Sequence, residues 1–468
     1  MSSRSHSHKK PRAPKRRRAS QKTIFFNIFL TIIAIFVFSI TIYKVTDSII
    51  NASGTHLPKL EISLTDVTIE AIDAGSKETK YSGNTAKLTY GNQILDFRDV
   101  EIKGRGNSTW AQAKKPYQIK FNEKVDLFEY GKAKKWVLLS NALDPTYLRN
   151  DFALKIEHIL NTDYALNGQF IELYIDDQYR GLYYLSEKVE IDKSRVGLSD
   201  ELGILAEIEN LHSANEECTS TAKISCLKTH DLVNSDNSNR ALTDFTDSIK
   251  QFETTLAEKD FNSVANLIDV DSFAKYYLLS EFTVNPDAYS SSFFLYKNGA
   301  SDKIHAGPGW DFDLSLGNVA WTSDGVDRET FFSPFTNNAL RDYTTFSNQS
   351  SLIPFADGIS TIVYDLLTFP EFESRVKEIY MQTLSGHKDE LLDYIKSQAD
   401  YIRPAALRDA KRWKLQTNFD DEVDYLIDWV AKRFDHFEAT YNINTATKEP
   451  ADQTASASKA EIFETLNF

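Results

Sequence analysis

Two aspartates one residue apart, Asp311 and Asp313, follow the apolar and glycine-rich run Ile304-His305-Ala306-Gly307-Pro308-Gly309-Trp310. In an extended chain, residues two apart point to the same side. Asp311 and Asp313 are therefore expected to face one cavity, with Phe312 packed behind them. Two carboxylates on one face repel unless a cation lies between them, and Mg²⁺ or Mn²⁺ suits such oxygen ligands. The glycines and the proline around the pair fit a strand that ends in a tight turn. The same pattern also fits two solvated aspartates at a strand end, so the rest of the chain has to decide.

A second stretch carries phosphate chemistry. Lys103-Gly104-Arg105-Gly106-Asn107-Ser108-Thr109-Trp110 leads into the basic strand Lys114-Lys115-Pro116-Tyr117-Gln118-Ile119-Lys120-Phe121. Glycines and small hydroxyls expose backbone N–H groups that, with a lysine, can wrap phosphates. A lone G-x-G turn usually holds nothing. A third acid, Asp287, lies in the loop Asn285-Pro286-Asp287-Ala288-Tyr289-Ser290-Ser291-Ser292. Arg105 reads either as a phosphate contact or as an ion-pair partner. His305 stands beside the aspartate pair, and a single histidine on a strand is usually structural.

The elements that must position these groups follow from periodicity. Short alternating runs, Leu60–Leu64, Val67–Ile72 and Ala86–Tyr90, predict antiparallel sheet. Trp136-Val137-Leu138-Leu139 predicts a buried strand. Asp144-Pro145 opens a helix expected over Thr146 to about Leu160, with Leu148, Phe152, Ile156 and Ile159 at helical spacing. Phe170–Ile175 and Gly181–Leu185 flank a hairpin turn. Residues 209–240 are polar and read as a surface insertion. Arg240 to about Thr283 reads as helical, ending at Asn285-Pro286 because a residue before proline avoids helical angles. Phe293–Lys297 reads as a strand, and residues 355–443 as helical.

Length and charge bound the class. The 468 residues suffice for two or three core-sized units. Residues 1–22 hold nine Lys or Arg and no acid, which leaves 44 basic against 67 acidic side chains elsewhere, a net of −23. An acidic body is a poor nucleic-acid binder, and no nucleic-acid partner is expected. Ile24 to Val45 is almost wholly apolar, and about twenty such residues span a bilayer as a helix. Lys15-Arg16-Arg17-Arg18 before it should hold the N-terminus in the cytoplasm. The expectation is a single-pass anchor in the cell membrane, with the main domain outside. Cys218 and Cys226 could there close a small disulfide or remain two thiols.

The order of parts is informative. A glycine loop and basic strand come first, then a helix, a hairpin, a long helix, an Asp-bearing loop and a strand pair ending in Asp-Phe-Asp. A protein kinase lays out its phosphate loop, lysine, regulatory helix, hinge, catalytic loop and metal aspartate in that order. The usual kinase signatures H-R-D, D-F-G and V-A-I-K are absent. The combination of Gly104-Arg105-Gly106-Asn107-Ser108-Thr109-Trp110, Lys115-Pro116-Tyr117, Leu148-Arg149-Asn150, Asn285-Pro286-Asp287 and Trp310-Asp311-Phe312-Asp313 resembles the spore-coat-protein-H family, the CotH kinases, over roughly residues 60–440.

That resemblance implies an α+β, atypical protein-kinase-like fold, with a β-rich N-terminal lobe and a helical C-terminal lobe after the transmembrane helix. It also implies transfer of phosphate from ATP to protein Ser/Thr hydroxyls, or a cell-surface acceptor, with Mg²⁺ or Mn²⁺. The expected organisation is a basic tail (1–22), a membrane helix (23–46), a linker (47–58), an N-lobe (59–195), a C-lobe (196–445) and a disordered tail (446–468). Carried over by position, Asp287 is the catalytic-loop carboxylate and Asp311 a metal ligand, with Asp313 a second acid. Ser292 stands where some relatives hold metal with Asn. Gly104, Arg105, Gly106, Asn107 and Ser108 form the phosphate loop. Lys120, or alternatively Lys115, faces ATP, with Asp151 or Glu157 as its helix partner; Arg149 is an alternative phosphate contact and Glu187 a hinge residue. Two other classes compete: a cell-envelope scaffold on the same fold, and a carboxylate-pair glycosidase. The glycosidase leaves the lysine-rich glycine loop unexplained.

Overall fold

The computed structural model describes residues 57–210, 217–285, 287–318, 362–415 and 418–441. Seven strands close a barrel: β1 (Lys59–Ser63), β2 (Tyr81–Tyr90), β3 (Gln93–Gly104), β4 (Tyr117–Asp126), β5 (Lys132–Leu139), β6 (Gly168–Ile175) and β7 (Gln178–Glu187). Their order around the barrel is β1-β2-β3-β4-β5-β7-β6. All neighbours run antiparallel except β1 and β6, which pair in parallel. Alternation fills the interior: Tyr117, Ile119 and Phe121 of β4 point inward with Val100, Ile102, Trp136, Leu138, Leu173 and Leu185. The β6–β7 turn is Asp176-Asp177, both at positive φ (49° and 61°), the geometry a two-residue hairpin turn needs.

One alternating run was misread. Val67–Ile72 does not form a strand; Ile69–Ala74 is a short helix, α1. The Thr68 hydroxyl caps it by accepting from the Ala71 N–H, and Ile69 and Ile72, three apart on a helix, both enter the barrel core.

The rest of the chain builds a second core. A four-stranded antiparallel sheet has the order β11-β10-β8-β9, from β8 (Gly203–Ile208), β9 (Leu227–Leu232), β10 (Phe293–Asn298) and β11 (His305–Ala306). Around it lie α2 (Arg149–Ile159), α3 (Ser238–Glu258), α4 (Phe261–Leu267), α5 (Val270–Thr283), α6 (Ile362–Leu366), α7 (Pro370–Gln382), α8 (Lys388–Trp413) and α9 (Phe419–Thr440). The architecture is thus mixed α+β, β-rich in its N-terminal part and largely helical in its C-terminal part. Helix α2 lies in sequence between barrel strands, yet its Phe152, Ala153 and Ile156 belong to the second core.

Several boundaries differ from the sequence reading. The helix expected from Thr146 begins at Arg149, because the Asp144 carboxylate binds the Thr146 and Arg149 N–H groups and holds a turn. The stretch 240–283 is three helices, interrupted where Lys259 takes left-handed angles and where Asp260 and Asp269 cap new N-termini. Residues 209–240 are more than a surface insertion: they contain β9, and Ile224, Cys226 and Leu227 are buried. Cys218 and Cys226 are joined as a disulfide.

No helix among the described residues is long and apolar enough to cross a membrane. The basic tail (1–22), the expected span (23–46), nearly all of the linker and the C-terminal tail (446–468) lie outside the described residues.

Candidate functional site

A cleft of about 280 Å³ gathers the polar residues of both parts of the chain. From the barrel side come Lys77, Arg105, Gly106, Asn107 and Ser108. From the other side come Asp287, Ser291 and Ser292 of the loop after α5, and Trp310, Asp311 and Asp313 of the loop after β11. The strand β8 and its continuation add Glu207 and Glu209; β9 adds Lys228 and His230.

The acids reach the cleft by turns. Val284 takes left-handed angles and ends α5, and the Asn285 carboxamide oxygen then accepts the Asp287 N–H at 3.1 Å. The Asp287 carbonyl accepts the N–H groups of Ser290 and Ser291, both at 2.9 Å, which closes a compact loop. The Ser291 hydroxyl donates to the Glu209 carboxylate at 2.8 Å. The strand expected under the aspartate pair stops at Ala306, so pleat alternation is not what aligns Asp311 and Asp313. Asp311 sits in a turn at φ +68°, Phe312 is buried behind it, and both carboxylates still line the cleft. Asn285 spans the two loops, donating from its Nδ2 to the Asp311 carbonyl at 3.2 Å.

The electrostatics are lopsided. Burial, followed by the charges of Asp311, Asp144 and Asp287, holds the Asp313 carboxyl well above the usual carboxylate range. Arg105 faces this group. Burial pushes its guanidinium down, and Asp311, Glu207 and Asp313 pull it back up. It also stacks over the Trp310 ring, 5.2 Å from the centroid, so the glycine loop touches the acidic loop directly. On the barrel side, burial pushes Lys188 down to about 8. Its ammonium donates to the Val189 carbonyl at 3.0 Å and lies 3.4 Å from His230 Nε2, while His230 Nδ1 meets Glu207 at 3.1 Å. Among the described residues, no three His, Cys, Asp or Glu side chains are gathered as a ready metal cage. A pair of hard carboxylate oxygens, with Asp313 pushed up by burial and by its acidic neighbours, is instead the donor set that fits a cation arriving with its own oxygens, from water or phosphate.

Arg105, Gly106, Asn107, Ser108, Asp287, Ser292, Asp311 and Asp313 thus line one cleft. Five expected residues do not line it. Gly104 closes β3, where a side chain would strike the Trp110 ring at 2.5 Å. Lys115 turns to the Trp110 carbonyl (2.5 Å) and stacks on that ring. Lys120 alternates with the inward Ile119 and Phe121 and so lies on the barrel's outer face, opposite Glu101 and Lys135. Arg149 is fully buried, paired with Asp144 at 2.5 Å. Glu187 is buried too, accepting from the Asn167 N–H (2.8 Å) and lying 3.6 Å from Arg195; burial lifts it to about 7. Neither candidate partner on α2 meets a lysine. Asp151 accepts from the Tyr184 and Tyr394 hydroxyls, at 3.0 and 2.9 Å, and Glu157 accepts from the Gly309 N–H at 2.8 Å.

Sequence reasoning missed Lys188, Lys228, His230, Glu207 and Glu209. One signal was present: Glu207 and Glu209 alternate along the otherwise apolar run Gly203-Ile204-Leu205-Ala206-Glu207-Ile208-Glu209, and buried acids need a purpose.

The family model described as CotH kinase protein matches residues 102–437, from the end of β3 into α9. No curated protein matches the chain. With the glycine loop, the Asp287 loop and the Asp311 loop all inside the matched span and converging on one cleft, this chain belongs to the CotH kinase family.

Proposed function

We propose that the chain is an atypical protein kinase that transfers the γ-phosphoryl group of ATP to a Ser or Thr hydroxyl. What supports this reading is that cations and acids share one cleft: Lys77, Arg105, Lys188 and Lys228 line it together with Glu78, Glu207, Glu209, Asp287, Asp311 and Asp313. A polyanion held in that cleft would relieve both the half-buried cations and the crowded carboxylates.

In this reading Arg105 and Lys188 hold the phosphates, and Lys188 takes the part first given to Lys120 or Lys115. Asp311 and Asp313 would hold Mg²⁺ or Mn²⁺, which supplies the charge neutralisation that phosphoryl transfer requires. Asp287 orients the acceptor hydroxyl and takes its proton as the oxygen bonds to the γ-phosphorus and the bond to the β-phosphate oxygen breaks, leaving ADP. The acceptor is a protein or a surface polymer reached by a domain tethered outside the cell membrane through residues 23–46. A second reading, an inactive envelope scaffold, is favoured by one observation: Ser292 stands five residues after Asp287, where protein kinases carry a metal-holding Asn.

The test is a melting curve with ATP and Mn²⁺ or Mg²⁺, alongside phosphate transfer to a generic acceptor. A ligand that binds only the folded state raises the melting temperature. Asp311→Ala should remove the shift, and Asp287→Asn should keep it while slowing transfer by about 100-fold or more. No shift in the parent protein would give the scaffold reading the field.

A further inference from the structure

Helix α2 holds the acidic loop at four points. The Glu157 carboxylate accepts the Gly309 N–H at 2.8 Å, and the Asn150 carboxamide oxygen accepts the Phe312 N–H at 2.9 Å. Arg149 donates through Nε to the Ser315 carbonyl at 3.0 Å and through Nη2 to the Leu316 carbonyl at 3.4 Å. Asn150 and Glu157 are seven residues apart, so two helical turns put them on one face. The two amides they hold bracket Asp311, whose backbone sits at φ +68°. Such angles are uncommon outside glycine, though aspartate tolerates them better than most residues, and here the two held amides fix them from either side.

This differs from the arrangement of protein kinases, where a glutamate of the regulatory helix pairs with a strand lysine. Here the two acids of α2 that could play that part are spent elsewhere. Asp151 is taken by two tyrosine hydroxyls. Glu157 gives one oxygen to the loop, and its other oxygen, Oε2, is buried without a hydrogen-bond partner. A carboxyl so placed is favoured by the Gly309 amide first and the Thr162 side chain second, yet the cost of burial outweighs both.

We propose that Asn150 and Glu157 are positioning residues: by fixing the Gly309 and Phe312 amides, helix α2 sets the turn that aims Asp311 and Asp313 into the cleft. Control of the site by α2 then runs through the backbone of the acidic loop instead of through a lysine–glutamate pair. The inference rests on the kinase reading only for what the loop is aimed at; the tether itself is independent of it.

The experiment is backbone amide exchange of the ligand-free full-length protein, with the Mn²⁺ concentration needed for half the ATP-dependent melting shift as a second readout. Glu157→Met keeps bulk but removes the acceptor; Glu157→Gln keeps an acceptor. Exchange over residues 309–316 should quicken at least tenfold in Glu157→Met, while barrel and α5 amides stay within twofold. Its Mn²⁺ requirement should rise at least tenfold, and Glu157→Gln should stay within threefold of the parent in both readouts. If Glu157→Met does not fold, Asn150→Ala gives the same reading at Phe312. A folded variant whose loop exchanges at the parent's rate overturns the tether. A parent protein that shows no melting shift sinks the kinase reading instead, and leaves the exchange result to decide the tether alone.

Discussion

Three carboxyls, Asp151, Glu187 and Glu157, are buried deeply enough to titrate at about 6, about 7 and about 8. Burial is the first cause in each, outweighing tyrosine hydroxyls at Asp151, Arg195 at Glu187 and the Gly309 amide at Glu157. In the unfolded chain such groups lose their protons near pH 4. Between there and about pH 8 the folded protein therefore binds more protons than the unfolded one, and its stability falls as pH rises. His158 and His436, pushed down by burial, oppose this trend in the lower part of the range but are outnumbered by the carboxyls, and Lys188, pushed down to about 8, opposes it only above that pH. The urea midpoint of the ligand-free protein should decline steadily from about pH 5 to pH 8, and Glu157→Gln should flatten the upper half of that decline. A midpoint that climbs across this range would refute the assignment. At this scale Asp311 and Asp313 were legible because they stand in apolar, glycine-rich surroundings where charge is conspicuous, and Asp287 because of its place in the order of motifs. The lysine was not. Alternation along β4 tells that Lys120 points out of the barrel, but only the closed strand order tells that the cleft lies elsewhere, beside Lys188.

Periodicity identified most strands and long helices, and failed where a capping side chain overrode it. Thr68 turns an alternating run into α1, and Asp144 delays α2 to Arg149. The polar stretch around the two cysteines concealed a strand because β9 is an edge strand with only Leu227 fully covered. That stretch is tied to the site. The Cys226 N–H donates to the Asn210 side chain at 2.9 Å, the Cys226 carbonyl accepts the Glu209 N–H at 3.0 Å, and the Asn210 N–H reaches the Ser290 carbonyl at 2.7 Å. Breaking the disulfide with Cys218→Ser and Cys226→Ser should cost on the order of 2 kcal/mol, the value expected for so short a ring. Chemical denaturation with and without reductant measures it. The loss should be accompanied by faster amide exchange in the Asp287 loop, and reductant should leave the double variant unchanged.

Helix α8 joins the barrel to the second core. Asp409 is buried among groups from β7 and two loops: its Oδ1 accepts the Leu182 N–H at 2.8 Å and meets Lys114 at 2.8 Å, and its Oδ2 accepts the Tyr147 hydroxyl at 2.9 Å. Arg408 pairs with Glu172, and the Trp413 indole donates to the Arg180 carbonyl at 2.9 Å. Removing one partner of a buried pair leaves the other charge stranded, so Asp409→Ala should cost about 3–5 kcal/mol. The double change Asp409→Leu with Lys114→Met should recover much of that in a denaturant titration. Gly181→Ala should be as damaging as the single change, since the added carbon would lie 1.9 Å from Asp409 Oδ1. None of this long-range pairing was visible in the sequence, because an aspartate on an amphipathic helix looks like any solvated one. It bears on how the chain is born. Leu182 leaves the ribosome 227 residues ahead of Asp409. Through that interval the nascent barrel carries Lys114 with no counter-charge and a hairpin with no helix laid across it. The pairing that α8 brings to the barrel is thus completed only once the chain has been made as far as Asp409.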